Sequence, residues 1–181
     1  MELPQHVKER LAEVVAELSA CRADVRWVSD GALHLTLKFL GSVDARDLGG
    51  VETALQRVAA AARPTRGRVR SIGSFPHPSR PRVLWAGVEP DGPALGELHG
   101  ALDEAMGDVG FEREKRRFHP HVTLARVRGP RGLPELREAM VAREGFDAGT
   151  FQIDALTLFR SELRRDGARH TALSVQYLAG G

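Results

Sequence analysis

The tetrad His-x-Thr-Leu occurs twice in this chain, 87 residues apart. It reads His34-Leu35-Thr36-Leu37 inside "ALHLTLKFLG" (32–41) and His121-Val122-Thr123-Leu124 inside "HPHVTLARV" (119–127). Both stretches alternate apolar and polar residues, the period of a strand with one buried face. Alternation puts His34 and Thr36 on one face and Leu35 and Leu37 on the other, and it treats His121, Thr123, Val122 and Leu124 alike. A fold must therefore house two strands that each bury aliphatic side chains and display an imidazole beside a hydroxyl.

The surroundings of the two tetrads also match. Residues 4–20 form an apolar stripe at helical spacing (Val7, Leu11, Val14, Val15, Leu18), with Pro4 suited to the first turn. A short strand "VRWVS" (25–29), the first motif strand, a helix over 44–62 with Asp44 as cap, and a strand over 67–75 follow. The prolines of "PHPSRP" (76–81) mark a loop. The order then restarts: strand 82–89, helix 90–110, a polar strand or loop 111–118, motif strand 119–127, helix 133–142, and strands 150–163 and 170–179. Pro4 lies 30 residues before His34 and Pro93 lies 28 before His121. Matching order and spacing imply a duplicated unit with two copies, a pseudo-symmetric domain and no open-ended array. The expected unit is one α+β domain over 1–181, with halves near 1–80 and 81–181, and a pseudo-twofold that sets the two motif strands facing across a cleft.

Composition narrows the function. The single cysteine, Cys21, rules out an internal disulfide and a multi-cysteine metal site. No apolar run has the ~20 residues of a membrane helix, and the first residues lack the pattern of a signal peptide, so a cytoplasmic protein is expected. The basic residues comprise 23 Arg and 3 Lys. The arginines cluster at 63–70, 113–117, 126–131 and 160–169, while acidic residues fall mostly in the expected helices. Arginine pairs bidentately with phosphate oxygens, so an anion-binding face is one reading, a solvated surface the other.

Two imidazoles and two hydroxyls suit phosphoester chemistry without a metal or other cofactor. One neutral imidazole takes a proton from water, and one imidazolium gives a proton to the leaving oxygen. The threonine hydroxyls donate to phosphate oxygens as charge builds there. His119 and His121 form a His-x-His pair that could ligate zinc, but Pro120 intervenes and no cysteine or carboxylate accompanies them, so no metal is expected. His6, His77, His99 and His170 have no matching partners and read as surface or helix residues.

At "HLTLKFLG" and "PHVTLAR" the sequence resembles the two-histidine phosphoesterase superfamily, and within it the RNA 2′,3′-cyclic phosphodiesterases once called 2′-5′ RNA ligases. The likeness spans nearly the whole chain. It implies a bilobal fold with antiparallel sheets lining a central cleft and helices outside. It implies His34 with Thr36 and His121 with Thr123 as catalytic pairs, with His121 as base and His34 as acid. It also implies Phe39, five residues after the first His, against the nucleoside, and Arg126, five after the second, on the phosphate. Plain alternation turns both away from their histidines, so the strands must end, twist or bulge there. The alternative for Phe39 is core packing.

The repeat and the resemblance both ask for an apolar strand before the first helix, where only Met1-Glu2-Leu3 precede Pro4. The expectation is a missing strand and an exposed sheet edge, with an in-frame upstream start encoding it. The expected activity is hydrolysis of RNA 2′,3′-cyclic phosphate ends to 2′-phosphomonoesters by a monomer with no membrane partner. The alternatives are 2′-5′ joining of RNA ends, hydrolysis of a small cyclic nucleotide phosphate, and binding of RNA ends without chemistry.

Overall fold

The computed structural model describes residues 1–163 and 168–179 of the 181-residue chain. Arg164 and Arg165 of the fourth arginine cluster lie outside the described residues. Among those described, the helices are α1 (Gln5–Ser19), α2 (Leu48–Ala61), α3 (Ala94–Asp108) and α4 (Leu133–Val141). The strands are β1 (Val25–Trp27), β2 (Thr65–Phe75), β3 (Val83–Pro90), β4 (His121–Val127), β5 (Asp147–Ile153), β6 (Ala155–Leu163) and β7 (Ala168–Tyr177). Five strands form an antiparallel sheet in the order β1-β4-β3-β2-β5, and β6 and β7 form a second, two-stranded sheet. Helix α1 packs on β5 and α4, and α4 on β2. Helix α2 packs on β6, β7 and α3. The architecture is the expected bilobal α+β arrangement.

The apolar stripe of α1 buries Val7, Leu11, Val14 and Leu18, and Pro4 occupies its N-cap position. Leu11 and Val7 are fully buried, and emptying a site like that of Leu11 costs about 2–5 kcal/mol. Helix α2 begins later than expected, because residues 44–47 form a turn closed by Asp47 N–H on the Asp44 carbonyl. Asp47, and not Asp44, takes the cap position, without a side-chain capping bond. Residues 111–120 contain no strand.

Two strand expectations need correction. The run 150–163 is two strands broken at Asp154, with β5 in the large sheet and β6 in the small one. The Asp154 carbonyl accepts the Leu178 N–H at this crossing, so the backbone is paired where the chain changes sheets. The run 32–41 is no continuous strand. A 3₁₀ turn covers Asp30–Ala32, and only His34 and Leu35 make β-bridges, to Glu2 and Val122 respectively. Alternation records burial, but a strand also needs neighbours with free backbone groups, and among the described residues no bridge is made beyond Leu35.

The expected first strand is not wholly lacking. The Met1 ammonium donates to the Leu35 carbonyl at 2.9 Å, and the Leu35 N–H donates to the Met1 carbonyl at 3.1 Å. Met1 and Glu2 thus meet Leu35 and His34 as Ala86 and Gly87 of β3 meet Val122 and His121 of β4. Met1 and Leu3 are buried.

Lys38 gives the unpaired segment a different anchor. Its side chain is 3% exposed, ion-paired with Asp103 of α3, and it donates to the Glu112 carbonyl at 2.9 Å. Asp103 also accepts the Glu114 N–H at 3.1 Å. One buried ammonium thereby ties the residues after Thr36 to α3 and to the loop that leads into β4.

Candidate active site

Each motif buries its central residue and frees the two flanking it. Leu35 and Val122 are fully buried, while His34, Thr36, His121 and Thr123 are half-buried. Leu35 and Val122 pair with each other in an antiparallel bridge. That register sets His34 alongside Thr123 and Thr36 alongside His121, with all four on the face away from the core.

Both imidazoles are held by the same device. His34 Nδ1 lies 2.7 Å from the Ala32 carbonyl, and His121 Nδ1 lies 2.7 Å from the His119 carbonyl. A carbonyl only accepts, so each Nδ1 carries a proton and each Nε2 is left as the reactive nitrogen. Burial pushes His34 down to about 4, with the Met1 ammonium and His170 adding in the same direction against the favourable Ala32 bond. Burial also lowers His121, helped by His119 and Arg126.

The odd spacing of Arg126 is resolved by a bulge. Leu84 pairs with Ala125 but Trp85 with Thr123, so Leu124 is an extra residue in β4. Leu124 and Ala125 are buried in succession, and Arg126 is exposed. The extra residue flips the alternation and returns Arg126 to the face of His121 and Thr123. Its cross-strand partner on β1 is Arg26, which the sequence reading passed over.

Phe39 is 74% exposed, which rules out the core-packing alternative. It lines a cleft of about 620 Å³ together with His34, Thr36, Phe159, Ser161 and His170. Because residues 36–40 are not held in a ladder, period-2 alternation does not bind Phe39.

Aromatic residues wall both histidines. Phe75 of β2 packs on His121 at 5.0 Å between ring centroids, and Phe159 of β6 on His34 at 5.7 Å. Trp85 lies across Gly73 of β2 and touches Phe75 and His119. A Cβ on Gly73 would sit 2.2 Å from the indole, so glycine is required for the Trp to lie there. His119 itself is exposed. No group of three or more His, Cys, Asp or Glu that could hold a metal ion occurs among the described residues.

The expectation for His170 was wrong. It is a half-buried residue of β7, and its ring lies 4.7 Å from that of His34. His99 is a helix residue, as expected: it lies in α3 and stacks on Phe118 at 4.0 Å.

This is the architecture of a two-histidine phosphoesterase. A family model described as the 2′-5′ RNA ligase superfamily matches residues 4–165, and the chain belongs to that superfamily. An RNA 2′,3′-cyclic phosphodiesterase of Aeropyrum pernix is 35% identical over 169 residues, which span 91% of this chain and 92% of the relative. One of Methanothermobacter thermautotrophicus is 30% identical over 175 residues, 97% and 94% of the two chains. A crystal structure of a Thermus thermophilus protein superposes with a TM-score of 0.81 at 28% identity, covering 98% of this chain and 94% of that one. Escherichia coli LigT complexed with 3′-AMP superposes with a TM-score of 0.76 at 25% identity, with the same coverage. No helix among the described residues is long and apolar enough to cross a membrane.

Proposed function

We propose that this protein hydrolyses 2′,3′-cyclic phosphate ends of RNA to 2′-phosphomonoesters, using His34 and His121 and no divalent metal. The matched Nδ1–H bonds to the carbonyls of Ala32 and His119 carry the reading, because they leave two Nε2 atoms on one polar face. The relatives' names point to the same substrate.

Water attacks phosphorus as His121 Nε2 removes its proton. The bond from phosphorus to the 3′-oxygen breaks, and His34 Nε2–H⁺ gives that oxygen a proton. Two imidazoles on separate segments, His121 on β4 and His34 on the segment bridged to it, suit in-line displacement, in which nucleophile and leaving group lie on opposite sides of phosphorus. Thr36 and Thr123 donate to the non-bridging oxygens, and Arg126 balances their charge. In the free protein the surroundings favour the neutral form of both rings. A bound phosphate reverses that preference, since a nearby anion stabilises imidazolium. Phe39 offers its exposed ring to the terminal base.

The test is to incubate the purified protein with an oligoribonucleotide ending in 2′,3′-cyclic phosphate, in EDTA, and identify the product. A 2′-phosphate end supports the proposal. Joined ends would favour 2′-5′ ligation, and loss of activity in EDTA with restoration by zinc would return attention to His119 and His121.

A further inference from the structure

Resting on the phosphodiesterase reading above, we propose that His170 is a positioning residue for His34, an imidazole lining the same cleft that fixes the ring of His34 by edge-on contact and couples to its protonation when a phosphate binds. The two halves of the molecule are not symmetric at this point. His34 and His121 each have a phenylalanine neighbour from the strand at the equivalent place, Phe159 and Phe75. The further ring neighbours of His121 among the described residues are the indole of Trp85 at 6.4 Å and the exposed ring of His119 at 6.3 Å. The further ring neighbour of His34 is His170, with planes at 70° and centroids 4.7 Å apart.

His170 is itself held. Ser161 of β6 is its cross-strand partner, and Ser161 Oγ lies 2.8 Å from His170 Nδ1. Phe159 also packs on His170 at 6.0 Å. The β6–β7 hairpin thus presents Phe159, Ser161 and His170 as a unit against the ring of His34. All three line the cleft that contains His34 and Thr36.

Two imidazolium ions at this separation repel, so the first proton taken up by either ring opposes the second. The charged groups around the pair set the balance. The Met1 ammonium reaches His34 from the N-terminal segment, and Glu2 bridges it on the backbone. Arg160 of β6 lines the same cleft, as does Lys38, whose ammonium is committed to Asp103. Arg169 precedes His170 on β7 and pairs in register with Glu162. Burial lowers His170 in the same direction as His34. An arriving phosphate supplies the charge that lets the pair accept a proton, and His34, fixed by Ala32 and His170, is the member that delivers it.

Histidine-labelled protein followed by NMR through a pH titration tests this without reference to turnover. In the wild-type chain, His34 and His170 should each respond to the titration of the other, and inorganic phosphate should raise the first step. In His170→Phe, which keeps a ring against His34 but cannot ionise, His34 should titrate in one step, shifted upward by about half to one pH unit. Ser161→Ala should leave the coupling but loosen it. Independent single-step titrations in the wild-type chain overturn the proposal, even if His170→Phe fails to fold. So does a His34 titration unchanged in the Phe variant. The pH profile of kcat/KM on a cyclic phosphate substrate should follow the same shift. A wild-type protein inactive on that substrate would remove the phosphodiesterase reading and leave the NMR result to judge the pairing.

Discussion

Leu35 and Val122, the central residues of the two His-x-Thr tripeptides, are each other's partners in an antiparallel bridge. The two motifs therefore lie side by side, and the four polar side chains that flank the bridge share a face. Each histidine is fixed by a carbonyl two residues earlier in its own segment, so the geometry survives loss of the other ring. His34→Ala and His121→Ala should each fold and each lose about 10²–10⁴ in rate. A substrate whose leaving group needs no proton separates them: His34→Ala should recover much of its activity and His121→Ala should not. Recovery in His121→Ala alone would exchange the roles.

The pH dependence of stability follows from the buried rings. His34 is lowered to about 4 from an ordinary value near 6.5, so the folded state binds fewer protons than the unfolded chain between those values. The contribution of His34 is then fully present above about 6.5 and is lost as pH drops towards 4, by roughly 1–2 kcal/mol once the partial exposure of the ring is allowed for. The Met1 ammonium, lowered by burial to about 6 from 8.0, adds a loss of the same sign between those two values. Thermal melts between pH 4 and 8 check this, and a melting temperature that rises on acidification contradicts it.

The same shifts set the activity profile. In the free enzyme both imidazoles titrate below their ordinary range, so the bell of kcat/KM should centre on the acid side of 6.5. The kcat profile reports the complex, where bound phosphate raises both groups, and its optimum should be more alkaline. Coincident optima would mean that the anion does not reach the imidazoles.

Lys38 holds the first motif segment where a strand partner is missing. Its ammonium is buried and ion-paired with Asp103, whose carboxyl that contact holds below the usual carboxylate range. Lys38→Met leaves the carboxylate with only the Glu114 amide and should cost on the order of 3 kcal/mol. Urea melts measure it, and the double variant with Asp103→Leu should regain part of the loss.

How far the sequence carried depended on whether a feature is local. The stripe of α1 and the facing of both His-x-Thr pairs follow from spacing, and the structure has them. The extent of strand at 32–41 does not, because ladder pairing depends on what lies alongside, and among the described residues the backbone partners are Met1, Glu2 and Val122. The break at Asp154 left only a small trace, since Ala155 and Leu156 are apolar in succession and a bulge within one strand would shift the phase in the same way as a change of sheets. The bulge at Leu124 left a trace in the odd spacing of Arg126 from His121. His170 left none, since its contact with His34 comes from the packing of a hairpin distant in sequence.

Gly73 is required by a neighbour's ring. An added methyl would meet the Trp85 indole at 2.2 Å, and that indole helps to wall His121. Gly73→Ala should therefore displace Trp85, destabilise the sheet by about 1–3 kcal/mol and lower turnover together. Trp85→Leu in the same chain should restore stability and not activity. Restored activity would show that the indole plays no part in placing His121.

Phe39 separates binding from stability. Its ring is 74% exposed, so Phe39→Ala removes almost no buried surface and should leave the melting temperature within about 1–2 °C of wild type. If the ring stacks on the terminal base, its loss should weaken substrate binding by about 1–3 kcal/mol, a rise in KM of about 5- to 150-fold. Proton transfer is untouched, so kcat at saturation should change little. Phe39→Trp should restore binding because stacking needs a flat face and little else. A substrate reduced to a ribose cyclic phosphate without its base makes the assignment specific, since wild type and Phe39→Ala should then bind it equally. A persistent difference on the base-free substrate would mean that Phe39 shapes the cleft around the phosphate and does not receive the base.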